Sequence, residues 1–225
     1  MKLLHSLLIL LVVCFALSCS PLYIPNQPNV LLMSDGDETQ IGMQVGSNGY
    51  GLQLGYSPYY HWVLAASGNV YSFVADSNFV IRDRHIYGEV ATGYYTRLNR
   101  LGRLEILAGY GTGSTGLSND RGLYNRVFFQ PSIGISGPYV DMAFTPRVAW
   151  VNHFENRTPG GVVEQDQSSM YLEPFLTFRG GWEQIKFQLQ TGYSFELGDP
   201  AYSHQGFVGS IGFNVVLFRD FDRYK

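Results

Sequence analysis

Two stretches near the C-terminal end of the chain alternate in polarity, with Gly209 the one interruption in the second. From Ile185 to Phe195, apolar or aromatic residues alternate with Lys, Gln, Gly and Ser, and from Phe207 to Leu217 one parity is apolar while the other is small or mixed. A period of two predicts β-strands with two unlike faces. The polar face carries Gln, Ser and Asn rather than the Lys and Glu of a solvated surface. We therefore predict that the apolar face meets lipid and that the polar face lines a narrow interior.

The same alternation recurs along the chain and predicts about ten strands. After the first hairpin the connections between them alternate short and long, which is typical of outer-membrane barrels with short periplasmic turns and long extracellular loops. We predict an all-β fold, a single antiparallel transmembrane β-barrel in an up-and-down meander, over residues 38–218, with a periplasmic tail at 219–225. Both termini are expected on the periplasmic side. The predicted outward loops are residues 74–85, 114–124, 153–168 and 197–204.

Three features break or mark these strands. Asn48-Gly49 predicts a tight first hairpin turn. Pro131, Pro146 and Pro174 fall at outward strand positions, and because proline cannot donate to a strand ladder, each predicts a bulge or a local break. Aromatic residues near both predicted ends would form interfacial girdles: Tyr59, Tyr60, Trp62, Tyr139 and Trp182 at one end and Tyr87, Trp150, Phe154 and Tyr171 at the other.

Composition supports a barrel in lipid. Charged residues make up 15% of the chain and aromatic residues another 15%, against roughly 25% charged in soluble domains. No later apolar run approaches the ~18 residues of a membrane helix. A net charge of −3 without a basic cluster argues against a nucleic-acid partner, so outer-membrane lipid is the expected partner.

The N-terminus predicts export. Lys2 followed by an apolar run to Leu17 is typical of a signal peptide, here residues 1–18. Ala16-Leu17-Ser18 suits ordinary cleavage, whereas the same residues followed by Cys19 resemble a relaxed lipobox, in which Cys19 becomes the lipidated first residue. We favour lipidation, because Cys19 would be the one cysteine of the mature chain. The proline-containing stretch 19–37 then predicts an extended, lipid-anchored tether.

This region resembles a known family. The run from Cys19 to Leu32 contains Tyr23-Ile24-Pro25-Asn26-Gln27-Pro28-Asn29, and Asn48-Gly49-Tyr50 follows in the first hairpin. Both features are similar to those of small Bacteroidota-type outer-membrane β-barrel lipoproteins. The resemblance covers roughly residues 19 to 70. It implies a surface barrel and a location, and it implies no particular activity.

The inward parity collects charged residues that must be paired or hydrated. They are Glu89, Arg97, Glu105, Asp141, Arg147, Glu173, Arg179, Lys186 and Glu196. One antiparallel register across the loop at 153–168 places Asp141 opposite Arg179 and Arg147 opposite Glu173 at the same time. We predict these two interior ion pairs. They would form either a charge lattice that closes the lumen or the lining of a selective or catalytic site.

Candidate chemistry is sparse. His85, His153 and His204 fall on or beside outward loops near carboxylates, which permits a surface hydrolase with a histidine base. No motif supports it, so we assign no catalytic residue, no metal site and no cofactor. The leading hypothesis is a structural or interaction barrel. A narrow solute channel and a surface hydrolase are the alternatives, and a secreted soluble barrel with an apolar interior is a further one.

Overall fold

The alternating stretches form strands throughout the part of the chain that the computed structural model describes: residues 23–74, 81–117, 120–158, 161–163, 167–198 and 204–220. These residues contain no helix long and apolar enough to cross a membrane. The predicted signal peptide (1–18), Cys19 and most of the tail (221–225) lie outside them. The strands are β1 (Thr39–Gly46), β2 (Gly49–Tyr59), β3 (Trp62–Val74), β4 (Ile81–Arg97), β5 (Gly102–Leu117), β6 (Asp120–Ser136), β7 (Val140–Thr158), β8 (Gly161–Val163), β9 (Gln167–Gly181), β10 (Ile185–Tyr193), β11 (Phe195–Leu197) and β12 (Phe207–Leu217).

Ten of these strands form a closed antiparallel ring. Each pairs with the next along the chain, and β12 returns to pair with β1 from Thr39↔Leu217 to Gly46↔Ser210. Of the two short strands, β8 folds back on the end of β7, and β11 continues β10 along β9. The predicted ten-stranded up-and-down barrel is confirmed.

The two faces of the barrel wall have the predicted chemistry. Phe187 and Leu189 are 56% and 50% exposed on the outside, whereas Gln188 and Gln190 between them are 3% and 0% exposed inside. The largest fully buried side chains include four arginines and Lys186. A soluble barrel with an apolar interior is therefore excluded, because apolar burial is reversed with respect to a water-soluble protein.

The predicted tether is wrong for its described part. Residues Tyr23–Glu38, here called the plug, lie inside the barrel, and nearly all of their side chains are buried. The plug begins beside His204 at the end of the barrel that carries the long hairpins. It ends where Asp37 donates to the carbonyl of Ser57, at the end with the short turns. A stretch without alternation cannot present the apolar face that a wall strand presents to lipid, but its polar groups find partners in a polar lumen.

The plug also changes the expected placement of the termini. Tyr23 lies at the long-hairpin end, whereas the amide of Asp220 donates to Asp35 Oδ2 at the short-turn end. The described chain therefore begins and ends at opposite ends of the barrel, while the termini themselves, which are predicted to lie on one side, are outside the described residues. The cause is that the plug crosses the barrel before β1 begins.

The outward loops are shorter than predicted, because their strands continue beyond the alternating region. β5 and β6 stay paired as far as Leu117↔Asp120, so most of the predicted loop 114–124 is a β-hairpin. β7 likewise runs to Thr158, well into the predicted loop 153–168. Backbone pairing outside the lipid zone needs no apolar face, so polarity does not reveal it.

The first hairpin turns one residue earlier than predicted. Gly46 pairs with Gly49, which leaves Ser47 and Asn48 as the two turn residues. Gly49 has a φ of 92°, in the left-handed region, and a Cβ there would lie 2.2 Å from the carbonyl oxygen of Val70. Glycine is therefore required at this position for both conformation and space.

The three prolines lie side by side on neighbouring strands. Pro146 pairs with Pro174 between β7 and β9. The ladder between β6 and β7 is interrupted between the pairs Phe129↔Val148 and Ile133↔Phe144, in the stretch that contains Pro131. The register is the same on both sides of this gap, so the prolines produce a local break rather than a bulge.

The predicted aromatic girdle at the short-turn end is confirmed, and two of the four residues predicted for the other girdle are wrong. All five residues predicted at the short-turn end are exposed on the outside, as is Trp150 at the opposite end. Tyr87 and Tyr171 instead point into the lumen and are buried, so their assignment to a girdle is wrong. They occupy inward positions of their strands; the side chain of Phe154 lies outside the described residues.

Candidate functional site

The plugged lumen is the most elaborate polar site of the described chain. Its wall binds the plug chiefly through main-chain carbonyl oxygens, which accept hydrogen bonds from wall or C-terminal side chains. The pairs are Asn26 with Arg147, Pro28 with Gln53 and Gln190, Asn29 with Gln130, Val30 with Arg179, Leu31 with Gln40, Leu32 with Arg219, Ser34 with Arg97, and Asp35 with Tyr95. Buried carbonyls require such partners. The donors come from most strands of the ring, so the plug is bonded to the wall around its circumference.

The sequence of the plug suits this arrangement. Pro25 and Pro28 have no N–H, so an extended chain carries fewer donors that need acceptors from the wall. The Gln27 side chain supplies further contacts: its Oε1 accepts from Asn48 Nδ2 at 2.7 Å and from Asn69 Nδ2 at 3.2 Å. The plug therefore adds hydrogen bonds from its side chains to those from its main chain.

An ionic network surrounds the first residue of the plug. The Tyr23 hydroxyl donates to Glu173 Oε1 at 2.8 Å and accepts from Arg126 at 2.8 Å. Arg126 also binds the carboxylate of Glu89, and Arg147 binds Glu173 at 2.7 Å. All these side chains are buried, and paired charges can be buried where unpaired ones cannot. The network fixes Tyr23 at the long-hairpin end.

The structure has the predicted register around the loop at 153–168. Asp141 lies opposite Arg179 and Arg147 opposite Glu173 in the β7–β9 ladder. Arg147 and Glu173 are in direct contact, with neither side chain exposed. Asp141 instead accepts from Lys186 Nζ at 2.8 Å, while Arg179 turns to Gln188 and to the carbonyl of Val30. The plug explains the difference, because it offers Arg179 an acceptor that the strands alone do not provide.

The short-turn end of the lumen has its own ion pairs to the plug. Arg97 contacts Asp35 at 2.7 Å, and Arg219, which follows β12, binds Glu38. Arg103 Nε donates to Ser34 Oγ at 2.8 Å. Charged contacts therefore hold the plug at both ends of the barrel.

Little space remains inside the barrel. An interior cavity lined by Asn29, Ala65, Glu89, Phe128 and Gln130, among others, has a volume of about 10 Å³. A cavity of this size holds about one water molecule. The plug thus fills the section of the lumen that a solute would have to cross.

The three candidate histidines surround one aromatic cluster at the long-hairpin end. His85 Nε2 lies 2.5 Å from the Tyr124 hydroxyl, and the His153 ring is 5.6 Å from that of Tyr124. The His204 ring is 5.2 Å from that of Tyr171, and Tyr23 packs between the two tyrosines. The described residues hold no group of three or more His, Cys, Asp or Glu side chains that could bind a metal.

His204 comes nearest to the predicted pairing of histidine and carboxylate. Its Nδ1 is 3.6 Å from Glu196 Oε2, but its Nε2 lies 3.1 Å from the carbonyl oxygen of Ser194. A carbonyl only accepts hydrogen bonds, so this contact favours the tautomer with the proton on Nε2, and Nδ1 is then the basic nitrogen. The structure therefore sets the basic nitrogen of His204 beside a carboxylate, and it shows no substrate on which this pair would act.

Two central arginines were missed by the sequence reasoning. Arg103 and Arg126 are fully buried and bind the plug or its acidic partners. The alternation of the strands does indicate their position: Leu104 and Val127 face outward, so Arg103 and Arg126 next to them must face inward. Both arginines stand at the start of the predicted strands, where few preceding residues show the alternation.

Comparison with known proteins gives no family. No family model and no curated protein matches this chain. Among solved structures, Ail, the attachment invasion locus protein of Yersinia pestis, is similar at 14% identity and a TM-score of 0.34, covering 82% of this chain and 100% of that one. The translocator domain of the autotransporter NalP from Neisseria meningitidis has 11% identity and a TM-score of 0.39, covering 79% of this chain and 86% of that one.

A third solved structure is Acinetobacter baumannii CarO2, at 11% identity and a TM-score of 0.32, covering 81% of this chain and 100% of that one. Identities this low say nothing of shared activity. The closed ring of the present chain is established by its own strand pairing, from β1 round to β12.

Proposed function

We propose that this protein is an outer-membrane β-barrel with a structural or interaction role, presenting its long hairpins to the outside. The observation that carries the proposal is the plug, which fills the lumen and is bonded along its main chain to the wall. With the lumen occupied in this way, the hairpins and the outer face are the surfaces available to a partner. Outer-membrane lipid is the partner that the apolar outer face requires.

Location and folding can be tested together. Membrane fractionation is expected to place the full chain in the outer membrane, and the unheated protein should migrate differently from the heated protein on a gel, because a closed barrel resists detergent unfolding. Recovery in a soluble fraction, or mobility that is unchanged by heating, would contradict the proposal.

We also propose lipidation at Cys19, in keeping with the resemblance to Bacteroidota-type barrel lipoproteins. The support is the relaxed lipobox in the sequence. Metabolic labelling with a palmitate analogue should mark the wild-type chain, and C19A should lose the label. Persistence of the label in C19A would place the lipid elsewhere.

The filled lumen argues against the narrow channel. Full-length protein reconstituted in planar bilayers is expected to show no stepwise conductance, since the plug occupies the lumen and the interior cavity beside Phe128 and Gln130 has a volume of about 10 Å³. Steady conductance by the folded full chain would restore the channel hypothesis. The surface hydrolase remains an alternative whose one structural support is the pairing of His204 Nδ1 with Glu196 Oε2 at 3.6 Å.

A further inference from the structure

We propose that the chain preceding Tyr23 leaves the barrel at the cell surface, so that a lipid on Cys19 enters the outer leaflet rather than the periplasmic one. The inference rests on the proposed outer-membrane location. It reverses the simplest expectation for a barrel whose first strand starts at the periplasmic end. The evidence is the direction in which the plug crosses the lumen.

Tyr23 is fixed at the long-hairpin end by contacts to several parts of the wall. Its main chain forms an isolated parallel β-bridge with His204, and its carbonyl oxygen accepts a hydrogen bond from the amide of Gln205, just before β12 begins. Its hydroxyl lies between Arg126 and Glu173. On β6 the next outward residue after Arg126 is Val127, the first of the exposed apolar positions on that strand. Tyr23 is therefore level with the edge of the lipid-facing band.

The opposite end of the plug is fixed at the short turns. The amide of Asp37 donates to the carbonyl of Ser57 at 2.7 Å, and Asp35 is paired with Arg97, the last residue of β4. The plug therefore spans the apolar band from one edge to the other. Because long hairpins face outward and short turns face the periplasm in outer-membrane barrels, the Tyr23 end is assigned to the cell surface.

The length of chain between Cys19 and Tyr23 decides which leaflet a lipid on Cys19 can enter. Cys19 lies four positions before Tyr23, and at about 3.3–3.6 Å per residue this length of chain extends at most about 14 Å. The hydrocarbon core is about 30 Å thick. Cys19 cannot reach the periplasmic interface from this position. The lumen offers no way back, because the plug fills it.

The experiment uses single-cysteine variants of the full chain in intact cells and a membrane-impermeant maleimide. L22C reports on the segment before the plug, S168C on the exposed long-hairpin end of β9, and Q184C on the exposed β9–β10 turn. The chain without an added cysteine measures the background from Cys19, whose thiol a lipid would occupy. We expect L22C and S168C to be labelled above this background in intact cells, and Q184C to be labelled only after the outer membrane is permeabilised.

A second readout removes dependence on the exposure of one thiol. An epitope inserted between Ser20 and Pro21 should bind antibody on intact cells, whereas an epitope after Lys225 should bind only in permeabilised cells. The inference is overturned when L22C and the N-terminal epitope both follow Q184C and require permeabilisation. Failure of the proposed location gives a different result, because the chain would then not fractionate with the outer membrane.

Discussion

The buried pair of Arg147 and Glu173 allows the ionic interior to be tested quantitatively. Glu173 accepts from Arg147 Nε at 2.7 Å, from the Tyr23 hydroxyl at 2.8 Å and from Ser194 Oγ at 3.3 Å, and neither charged side chain is exposed. Glu173→Leu leaves the guanidinium buried without its carboxylate. Breaking a buried pair in this way costs about 3–5 kcal/mol of unfolding free energy. The fully enclosed position of Glu173 places the expected loss in that range.

The assay is urea unfolding of the protein reconstituted in lipid vesicles, followed by tryptophan fluorescence and by the fraction of heat-modifiable barrel. The matched control is the double variant E173L with R147M, which removes both charges and is expected to regain most of the stability. The prediction is refuted when the unfolding free energy of E173L lies within about 1 kcal/mol of the wild-type value, which is roughly the contribution of one ordinary hydrogen bond. It is also refuted when the double variant is no more stable than E173L.

Two further predictions address the plug and the outer face. Gly55→Ala would place a Cβ 2.4 Å from Leu31 Cδ2 in the plug and should lower the unfolding free energy by about 1–3 kcal/mol. The control variant, Gly42→Ala, meets side chains only at 3.4 Å and should unfold almost as the wild type does. Equal urea midpoints for the two variants would show that the plug accommodates the added methyl group without loss of stability. Leu189→Arg, on the lipid face, should lower the unfolding free energy in vesicles by about 2–4 kcal/mol. Tyr139→Arg, at the short-turn rim, should lower it by about 0–1 kcal/mol. Similar losses at both sites would contradict the assignment of the outer face to lipid.

The wall of the barrel could be predicted because it repeats a simple physical rule. Each strand in lipid must show an apolar outer face, so alternation around residues such as Phe187 and Gln188 fixes both strand and orientation. The same parity argument, applied to charge, gave the register that sets Arg147 opposite Glu173. Closure followed from the even count of strands and the alternating lengths of their connections.

The plug could not be predicted, because the segment has no period and its partners are far away in sequence. Val30 meets Arg179, and Asn26 meets Arg147, over separations of 149 and 121 residues. An indirect signal did exist. Long donors such as Arg103, Arg126 and Gln190 crowd one lumen, and the strands alone do not supply acceptors for all of them. The hairpin extensions were missed for a related reason, since strands outside lipid need no apolar face.

The ladder between β1 and β12 has a consequence for the order of assembly. It joins the first and last strands of the ring, with the plug immediately before β1 and Arg219 two residues after the end of β12. Once β1 and β12 have paired, the ring surrounds the plug, which is hydrogen-bonded to the wall along its length. A plug that entered after closure would have to pass lengthwise through the lumen before these hydrogen bonds could form. Closure of the ring and enclosure of the plug are therefore coupled, because the pairing that closes the ring involves the strand that directly follows the plug.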